Sequence, residues 1–503
     1  MSVLAEVYRL PLGLLTDFYQ LTMAQGYRRA GLAGVEGVFH LFFRKSPFGG
    51  GFAVACGLSR VLEFLEDFRF GDEDLAYLAR QAGNDGEPLF EPSFLEELRS
   101  LRLECDVDAI PEGTVVFPFE PLVRVRGPLL QAQLLETALL NFVNFETLIA
   151  TKSARVALAA RGDEVLDFGL RRAQGIDGGL SASRAAFVGG CAATSNVLAG
   201  RLLGLPVSGT HAHSWVMAFD SEEEAFEAWA RAQPNNSVFL VDTYDTLEGV
   251  RRAAAAARRL QERGHRAIGI RLDSGDLAYL SIAARAILDE AGLTEVKIVA
   301  SNELDEHLIA SLKEQGARID VWGVGTRLVT GGDQAALGGV YKLGAVREAG
   351  GPWRTRVKVS EQAVKTSNPG VQQVRRFSGP DGFAADVIYD EERGLGEAPT
   401  LVDPLDPTHR KRVPAGSGFE DLLVPVVRGG RVVYQAPSLP ATQARAKEQV
   451  ARLHPGIRRF VNPHQYPVGL ALELYELKTR LVLEARGLLA GKGPPLYAHD
   501  GAR

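Results

Sequence analysis

The sequence of 503 residues has few cysteines and no excess of positive charge. Its three cysteines, Cys56, Cys105 and Cys191, are far apart, odd in number and without metal-ligand spacing. Disulfides and a structural zinc site are therefore not expected. Lysine and arginine total 56 against 62 aspartate and glutamate residues, which gives a net charge of -6. This balance argues against a general affinity for nucleic acid or anionic membranes, so any anion site must be local.

Long hydrophobic runs are absent as well. The N-terminus has no basic region followed by an apolar stretch, and no uninterrupted apolar run approaches membrane-spanning length. We therefore expect a cytoplasmic protein with no membrane partner. The chain is 46% hydrophobic and 23% charged, a composition typical of globular proteins with a large core. Its length exceeds the roughly 250 to 300 residues of a single core, which favours two or three domains.

Apolar runs alternate with helical patterns between residues 164 and 345, and this alternation predicts βαβ units and a parallel sheet. The runs are Val165–Phe168, Val238–Val241, Ala267–Ile270, Val296–Ala300, Ile319–Val324 and Val340–Leu343. Short β-like runs with proline turns indicate a mixed α+β domain over 1–128. We expect an α/β domain over 129–345, then a β-rich segment with C-terminal helices over 346–503.

Polar and glycine residues follow several predicted strands, and that edge of a parallel α/β fold carries function. In GVGT, from Gly323 to Thr326, backbone N–H groups suit a phosphate, although a plain tight turn has the same pattern. In RLDSGD, Arg271 suits an anion, and Asp273 suits ribose hydroxyls or Mg²⁺. A local salt bridge with a helix cap at Asp273 or Ser274 is the alternative.

Two histidines stand in GTHAHSW, where His211 and His213 share one side if the segment is extended. A zinc pair would need a third ligand that the neighbouring sequence does not offer, so we expect no metal held by these residues. A nucleophilic or acid–base role, or a purely structural one, remains open. In LVDTYD, Asp242 and Asp245 suit orientation of an imidazole or a helix cap.

Taken together, the motifs resemble the nicotinate phosphoribosyltransferase family. The resemblance runs in consistent order through LLTDFYQLTMAQGY, FHLFFRKSPF, NFETLIATKSARV, DFGLRRAQG, GGCAATSNVLAG, GTHAHSW, LVDTYDT, RLDSGDL, GVGT and VYKLGAV. These motifs cover about two thirds of the chain. The resemblance implies the type II phosphoribosyltransferase fold, an incomplete α/β barrel packed against a mixed α+β domain. It also implies a homodimer with active sites shared between subunits.

The same resemblance implies a role for each site residue. His213 is the residue that ATP phosphorylates, and Asp242 orients it. The nicotinate-contacting positions are Tyr19, Phe168, Arg171, Thr210 and Arg271. The phosphate- and ribose-binding positions are Arg44, Asp273, Gly325 and Thr326. The family places Tyr19 across the dimer interface. For Tyr19 and Phe168 the alternative is ordinary packing in the core. For Arg44 the alternative is a solvated charge on the surface.

The implied reaction is ATP-dependent transfer of phosphoribosyl from phosphoribosyl pyrophosphate to nicotinate on the route to NAD. Mg²⁺ would accompany the phosphates, and no permanently bound cofactor is expected. The rivals are a nicotinamide phosphoribosyltransferase and a non-catalytic, nucleotide-sensing relative. Retention of His213, Asp273 and GVGT together argues against the second rival. A quinolinate phosphoribosyltransferase fits less well, because that enzyme is shorter and has no ATP-accepting histidine.

Overall fold

The computed structural model describes residues 2–8 and 11–489, and their contacts divide into two units. The first unit comprises the described residues up to Thr147 and those from Ala336 onward, and the second spans Leu148–Ala335. The domain boundaries expected after residues 128 and 345 stay predictions.

Helices occur in both units. In chain order they are α1 (Val3–Val7), α2 (Phe18–Arg29), α3 (Leu58–Glu66), α4 (Asp72–Leu78), α5 (Pro92–Ser100), α6 (Leu129–Leu134), α7 (Glu136–Ala160), α8 (Gly175–Gly189), α9 (Val197–Leu203), α10 (His213–Met217), α11 (Glu222–Ala232), α12 (Thr246–Glu262), α13 (Leu277–Glu290), α14 (Glu306–Glu314), α15 (Thr326–Val329), α16 (Leu439–Ala451) and α17 (Leu472–Ala485). No helix among the described residues combines the length and apolar content needed to cross a membrane.

The strands form three larger sheets and one two-stranded ribbon. They are β1 (Val35–Phe42), β2 (Ala53–Val54), β3 (Asp106–Ala109), β4 (Val115–Val116), β5 (Val123–Pro128), β6 (Glu164–Asp167), β7 (Ala193–Thr194), β8 (Val238–Leu240), β9 (Gly269–Leu272), β10 (Lys297–Asn302), β11 (Val321–Val324), β12 (Val340–Glu348), β13 (Arg354–Thr355), β14 (Gln372–Gly379), β15 (Gly382–Asp390), β16 (Thr400–Val402), β17 (Arg410–Arg412), β18 (Gly418–Asp421), β19 (Val424–Arg428), β20 (Arg431–Val432) and β21 (Val468–Ala471).

The first unit is built on two sheets. One has the order β13-β12-β1-β5-β3-β19-β20, with antiparallel neighbours throughout. Its interior strand β1, which lies between β12 and β5, is buried along almost its whole length, in agreement with the apolar run VFHLF. The other sheet has the order β17-β16-β21-β15-β14-β18, and only its β15–β21 pair is parallel.

The second unit contains the predicted parallel sheet, with the order β7-β6-β11-β10-β9-β8. Five of the six predicted runs overlap its strands. The expectation that Val340–Leu343 continues the series is wrong, because β12 pairs antiparallel with β1 in the first unit. Only the four-residue helix α15 lies between β11 and β12, whereas a parallel crossover usually needs a longer helix. The sixth strand is β7, which has only two residues.

The two edge strands of this parallel sheet share a core and a connecting segment. Ala193 of β7 and Val238 of β8 belong to one buried apolar cluster, together with residues of β6, β10 and β11. Segment 206–211 runs beside both edges. Val207 forms a parallel bridge with Thr194, and the Thr210 hydroxyl donates to the Val238 carbonyl at 2.6 Å. The sheet is therefore curved, and its edge strands β7 and β8 both contact segment 206–211.

Candidate functional site

The carboxyl ends of the parallel strands line a cavity of about 530 Å³ in the second unit. Side chains on one face of a strand recur every two residues, so the residue two positions after an inward-facing core residue should lie on the same face, at the edge of the sheet. The buried cluster contains Leu166, Ala193, Val299 and Val321. Two positions after these core residues come Phe168, Ser195, Ser301 and Gly323. All four of these later residues line the cavity.

The ring of Phe168 lines the cavity, and the absence of a side chain at Gly323 leaves space for it. A Cβ atom built on Gly323 would come within 2.6 Å of two Phe168 ring carbons. The Phe168 backbone N–H donates to the Val324 carbonyl at 2.9 Å, which continues the β6–β11 pairing by one residue. The ring packs against the apolar cluster while remaining on the cavity wall.

A buried carboxylate holds the turn after Phe168. Asp167 is 2% exposed, and its Oδ1 accepts from the Gly169 N–H at 2.9 Å. Its Oδ2 accepts from the hydroxyls of Ser183 at 2.8 Å and Thr194 at 2.7 Å. Three donors on three segments thus fix the carboxylate, and through Gly169 they fix the DFGLR turn.

Three arginines, Arg171, Arg172 and Arg271, line the cavity, together with the carboxylates of Asp273 and Glu303. Burial lowers the pKa of Arg271, the positive charge of Arg171 lowers it further, and the carboxylates of Asp273 and Asp242 oppose this shift. The Nε of Arg271 is buried and has no hydrogen-bond partner within the described part of the chain. An orphaned guanidinium N–H beside a second arginine suits a small anionic ligand such as a carboxylate or a phosphate.

The structure distinguishes the two histidines of GTHAHSW. The ring of His211 is buried; its Nε2 accepts from the Leu240 N–H at 3.3 Å, and its Nδ1 lies 3.3 Å from the Ala212 carbonyl. Burial lowers the pKa of His211 to about 4. His211 is therefore a neutral histidine with Nδ1–H donating, and both ring nitrogens serve to fix segment 206–211. Of the open alternatives for this histidine, the structural role fits.

His213 begins helix α10, and its side chain is 37% exposed. Its Nε2 lies 3.9 Å from Oδ1 of Asp242, whose side chain is fully buried. That Oδ1 has no hydrogen-bond partner among the described residues. The other oxygen, Oδ2, accepts from the Asp273 N–H at 2.9 Å and from the Ser274 hydroxyl at 2.6 Å. Asp242 thus connects LVDTYD to RLDSGD through Oδ2, while its Oδ1 faces His213.

The GVGT turn stands at the end of β11. Gly325 and Thr326 line the cavity, and the Thr326 hydroxyl donates to Glu303 Oε1 at 2.9 Å. In RLDSGD the helix cap is Asp276, which accepts from the backbone N–H groups of Ala278 and Tyr279. The capping alternative for Asp273 or Ser274 is therefore wrong. Asp273 instead accepts from the Ser301 hydroxyl within the cavity wall.

The remaining predicted site residues belong to the first unit. Tyr19 is on helix α2 and is 47% exposed, so it is not a core residue. Arg44 follows strand β1, with its guanidinium carbon 5.8 Å from the centre of the Phe42 ring. Burial lowers the pKa of Arg44. Burial lowers the pKa of Lys342, the carboxylate of Glu136 raises it, and the positive charges of Lys358 and Arg44 lower it further. Arg44 therefore lies near two other cations and one carboxylate.

Sequence reasoning missed the polar segment after β10. Ser301, Asn302 and Glu303 all line the cavity. Asn302 has φ of 147°, a strained backbone region for a residue with a side chain, and its side-chain oxygen accepts from the Glu303 N–H at 2.8 Å. Their position in the sequence indicates a role at the site, because they follow the strand segment KIVA. RLDSGD and GVGT follow apolar runs in the same way.

The fold and the cavity define an α/β protein with an arginine-lined cavity at the carboxyl edge of a parallel sheet. Comparison with known proteins gives the family. The family model for the nicotinate phosphoribosyltransferase N-terminal domain matches residues 14–144, the family model itself matches 164–350, and the C-terminal domain model matches 371–478. The chain belongs to the nicotinate phosphoribosyltransferase family.

Individual relatives agree with this assignment. Nicotinate phosphoribosyltransferase of Bacillus subtilis (strain 168) is 43% identical over 481 residues, covering 94% of this chain and 96% of the relative. The Homo sapiens nicotinate phosphoribosyltransferase is 38% identical, with 96% and 97% covered. A crystal structure of human nicotinic acid phosphoribosyltransferase matches with a TM-score of 0.78 at 36% identity, covering 93% of this chain and 99% of that one. The mixed α/β fold is thus confirmed.

Proposed function

We propose that this chain transfers phosphoribosyl from phosphoribosyl pyrophosphate to nicotinate, giving nicotinate mononucleotide and pyrophosphate in NAD biosynthesis. The observation that carries the proposal is an aromatic ring beside two arginines in one cavity: Phe168, Arg171 and Arg271. A planar aromatic acid needs a ring to stack on and a cationic fork for its carboxylate. The names of the relatives point to the same substrate.

Nicotinate would lie with its ring against Phe168 and its carboxylate facing the arginine pair. The orphaned Nε of Arg271 supports this pose, because a bound carboxylate would supply the missing acceptor. Thr210 lines the same cavity beside the ring. For the opposite face of the ring we propose the exposed Tyr19 of a second subunit, which makes the enzyme a homodimer with shared sites.

The sugar and phosphates would use the rest of the cavity wall. Asp273 and Glu303 are the carboxylates suited to ribose hydroxyls, and the backbone at Gly325 and Thr326 is suited to the 5′-phosphate. Arg44, together with Lys342 and Lys358, forms the cation cluster we propose for the pyrophosphate. We also propose that segment 206–211 closes the parallel sheet into an incomplete barrel around this site.

In the transfer, the pyridine nitrogen donates its lone pair to C1′ of the ribose while the bond from C1′ to the pyrophosphate oxygen breaks. Pyrophosphate leaves with the electron pair, and the pyridine ring becomes positively charged. The protein's contribution is positioning and charge stabilisation. The carboxylates of Asp273 and Glu303 are hard oxygen donors that fit Mg²⁺, which would neutralise charge on the leaving pyrophosphate.

ATP would act through His213. Asp242 faces Nε2 of this ring, which favours a proton on Nε2 and leaves the Nδ1 lone pair as nucleophile. Attack on the γ-phosphate would form a P–N bond, break the P–O bond to ADP and release ADP. Hydrolysis of the phosphohistidine would then draw the transfer toward product. His211 is unsuited to this step, because its ring is buried and both of its nitrogens are occupied.

Nicotinate selectivity tests the arginine pair. Loss of a charge-assisted contact typically costs about 1.5 to 3 kcal/mol, so Arg271→Ala should bind nicotinate at least about tenfold more weakly by calorimetry. Arg251→Ala, a 58% exposed arginine on α12, is the matched control and should bind as the wild type does. Equal turnover of nicotinate and nicotinamide by the wild-type protein would show that the arginine pair does not select the acid.

Labelling with γ-³²P ATP tests the histidine. The wild-type protein should acquire an acid-labile, base-stable label that is absent from His213→Ala. His211→Gln should keep the label if the variant folds, which circular dichroism would show. A label that persists in His213→Ala would show that another residue is phosphorylated.

A further inference from the structure

A second cavity, of about 600 Å³, lies in the first unit and takes no part in the proposed reaction. It is formed by the start of strand β15, by strand β17, and by the loop between helix α16 and strand β21. Its volume is within the range of roughly 300 to 1,000 Å³ that is typical of small-molecule sites.

The floor of this cavity is apolar and rigid. It includes the rings of Phe383 and Tyr466, both less than 10% exposed. The Tyr466 hydroxyl donates to Asp386 Oδ1 at 2.8 Å, and the guanidinium carbon of Arg452 lies 4.2 Å from the centre of the Phe383 ring. Because these contacts fix the rings, the floor is preformed and needs little ordering when a ligand binds.

The rim is cationic. Lys411, His454, Arg459 and His464 line it, and none of the lining residues is acidic, in a protein whose net charge is -6. Backbone carbonyls, rather than carboxylates, hold the two permanent charges: Lys411 Nζ donates to Ala384 O at 2.8 Å, and Arg459 Nε donates to a loop carbonyl at 3.2 Å. No ion pair of either residue occurs in the described ranges.

His454 adds a donor to the same rim. Its Nδ1 accepts from the Gly456 N–H at 3.1 Å, so the ring proton of the neutral form is on Nε2. The Gly456 carbonyl in turn accepts from the His464 N–H at 2.9 Å, which ties the two histidine-bearing ends of the loop together. The rim therefore offers several donors on a loop that its own hydrogen bonds hold in place.

We propose that this cavity is a second ligand site that binds a nucleoside monophosphate. The cationic rim, whose lining contains no acidic residue, selects an anion, and a phosphate can accept hydrogen bonds from several donors at once. The aromatic and apolar floor requires an apolar body on the same molecule, which inorganic phosphate lacks. A nucleoside monophosphate combines a planar base with one phosphate and is small enough for the cavity.

Binding of adenosine monophosphate to the full-length protein tests this proposal, with adenosine and inorganic phosphate as the two partial probes. Calorimetry should show a binding event that Lys411→Ala/Arg459→Ala weakens at least about tenfold. Arg80→Ala/Lys447→Ala, which removes two exposed charges outside the cavity, should leave it unchanged. Arg271→Ala should also keep it, which separates this site from the cavity of the second unit.

Hydrogen exchange supplies a measurement that needs no variant. Adenosine monophosphate should protect the backbone amides of residues 454–466, whereas adenosine and inorganic phosphate should protect them less at equal concentration. Equal protection by inorganic phosphate would reduce the site to a simple anion site and overturn the proposal. Absence of protection there, or binding that Lys411→Ala/Arg459→Ala does not weaken, would overturn it as well.

Discussion

Replacing Asp167 by asparagine tests whether this buried carboxylate positions the aromatic part of the site. The substitution keeps the shape of the side chain and removes its charge. Asp167 accepts three hydrogen bonds, from Gly169, Ser183 and Thr194. A hydrogen bond to a charged acceptor contributes about 1.5 to 3 kcal/mol and a neutral one about 0.5 to 1.5, a difference of about 1 kcal/mol for each bond. The single oxygen of asparagine accepts on only one side, so we expect Asp167→Asn to lower the free energy of unfolding by at least about 3 kcal/mol.

The same variant should lose activity in a specific way. Because the Gly169 turn carries Phe168 and Arg171, a looser turn should raise the KM for nicotinate more than the KM for phosphoribosyl pyrophosphate. Chemical denaturation and steady-state kinetics would measure the two effects. Ser183→Ala removes one of the three bonds outright and should lower the free energy of unfolding by about 1.5 to 3 kcal/mol. If Asp167→Asn unfolds within about 0.5 kcal/mol of the wild type and keeps its KM for nicotinate, the positioning role is wrong.

Two other predictions concern the floor of the site and its acid stability. Gly323→Ala places a Cβ atom 2.6 Å from the Phe168 ring, so the ring must move. The KM for nicotinate should therefore rise several-fold while the circular dichroism spectrum is unchanged. An unchanged KM would count against the stacking of nicotinate on Phe168. Burial lowers the pKa of His211 from 6.5 to about 4, so the unfolded chain takes up this proton first as the pH falls. The free energy of unfolding should therefore decrease by about 3 kcal/mol from this group as the pH falls from about 6.5 to 4. In His211→Gln the free energy of unfolding should depend less steeply on pH in this range. Equal slopes in the two proteins would contradict the conclusion that His211 is buried in its neutral form.

The sequence was informative wherever functional residues come directly after a strand. Apolar runs predicted five of the six parallel strands, and the rule that active residues stand after such strands predicted the motifs of Phe168, Arg271 and Thr326. The structure gathers these three residues on one cavity wall. The rule works because parallel strands all end at one edge of their sheet. The SNE segment after β10 obeys the same rule, and its Glu303 also lines the cavity.

Other features could not be read from the pattern. Strand β7 has only two residues, and its place depends on parallel pairing with β6 and on the bridge from Thr194 to Val207. Such pairings join residues that are distant in sequence and leave no local periodicity. The distinct roles of His211 and His213 likewise depend on burial by aromatic rings of α11, among them Trp229, whose centroid lies 5.0 Å from that of His211. Neither the spacing of the two histidines nor their neighbours predicts this difference.

The central claim is that the cavity of the second unit joins nicotinate to phosphoribosyl. The most direct test incubates the purified protein with phosphoribosyl pyrophosphate, Mg²⁺ and either nicotinate or nicotinamide, with and without ATP, and identifies the mononucleotide by mass spectrometry. We predict nicotinate mononucleotide as the product, formed faster with ATP, and a large loss of this product in Arg271→Ala. Formation of nicotinamide mononucleotide as the main product, or of no mononucleotide under any condition, would contradict it.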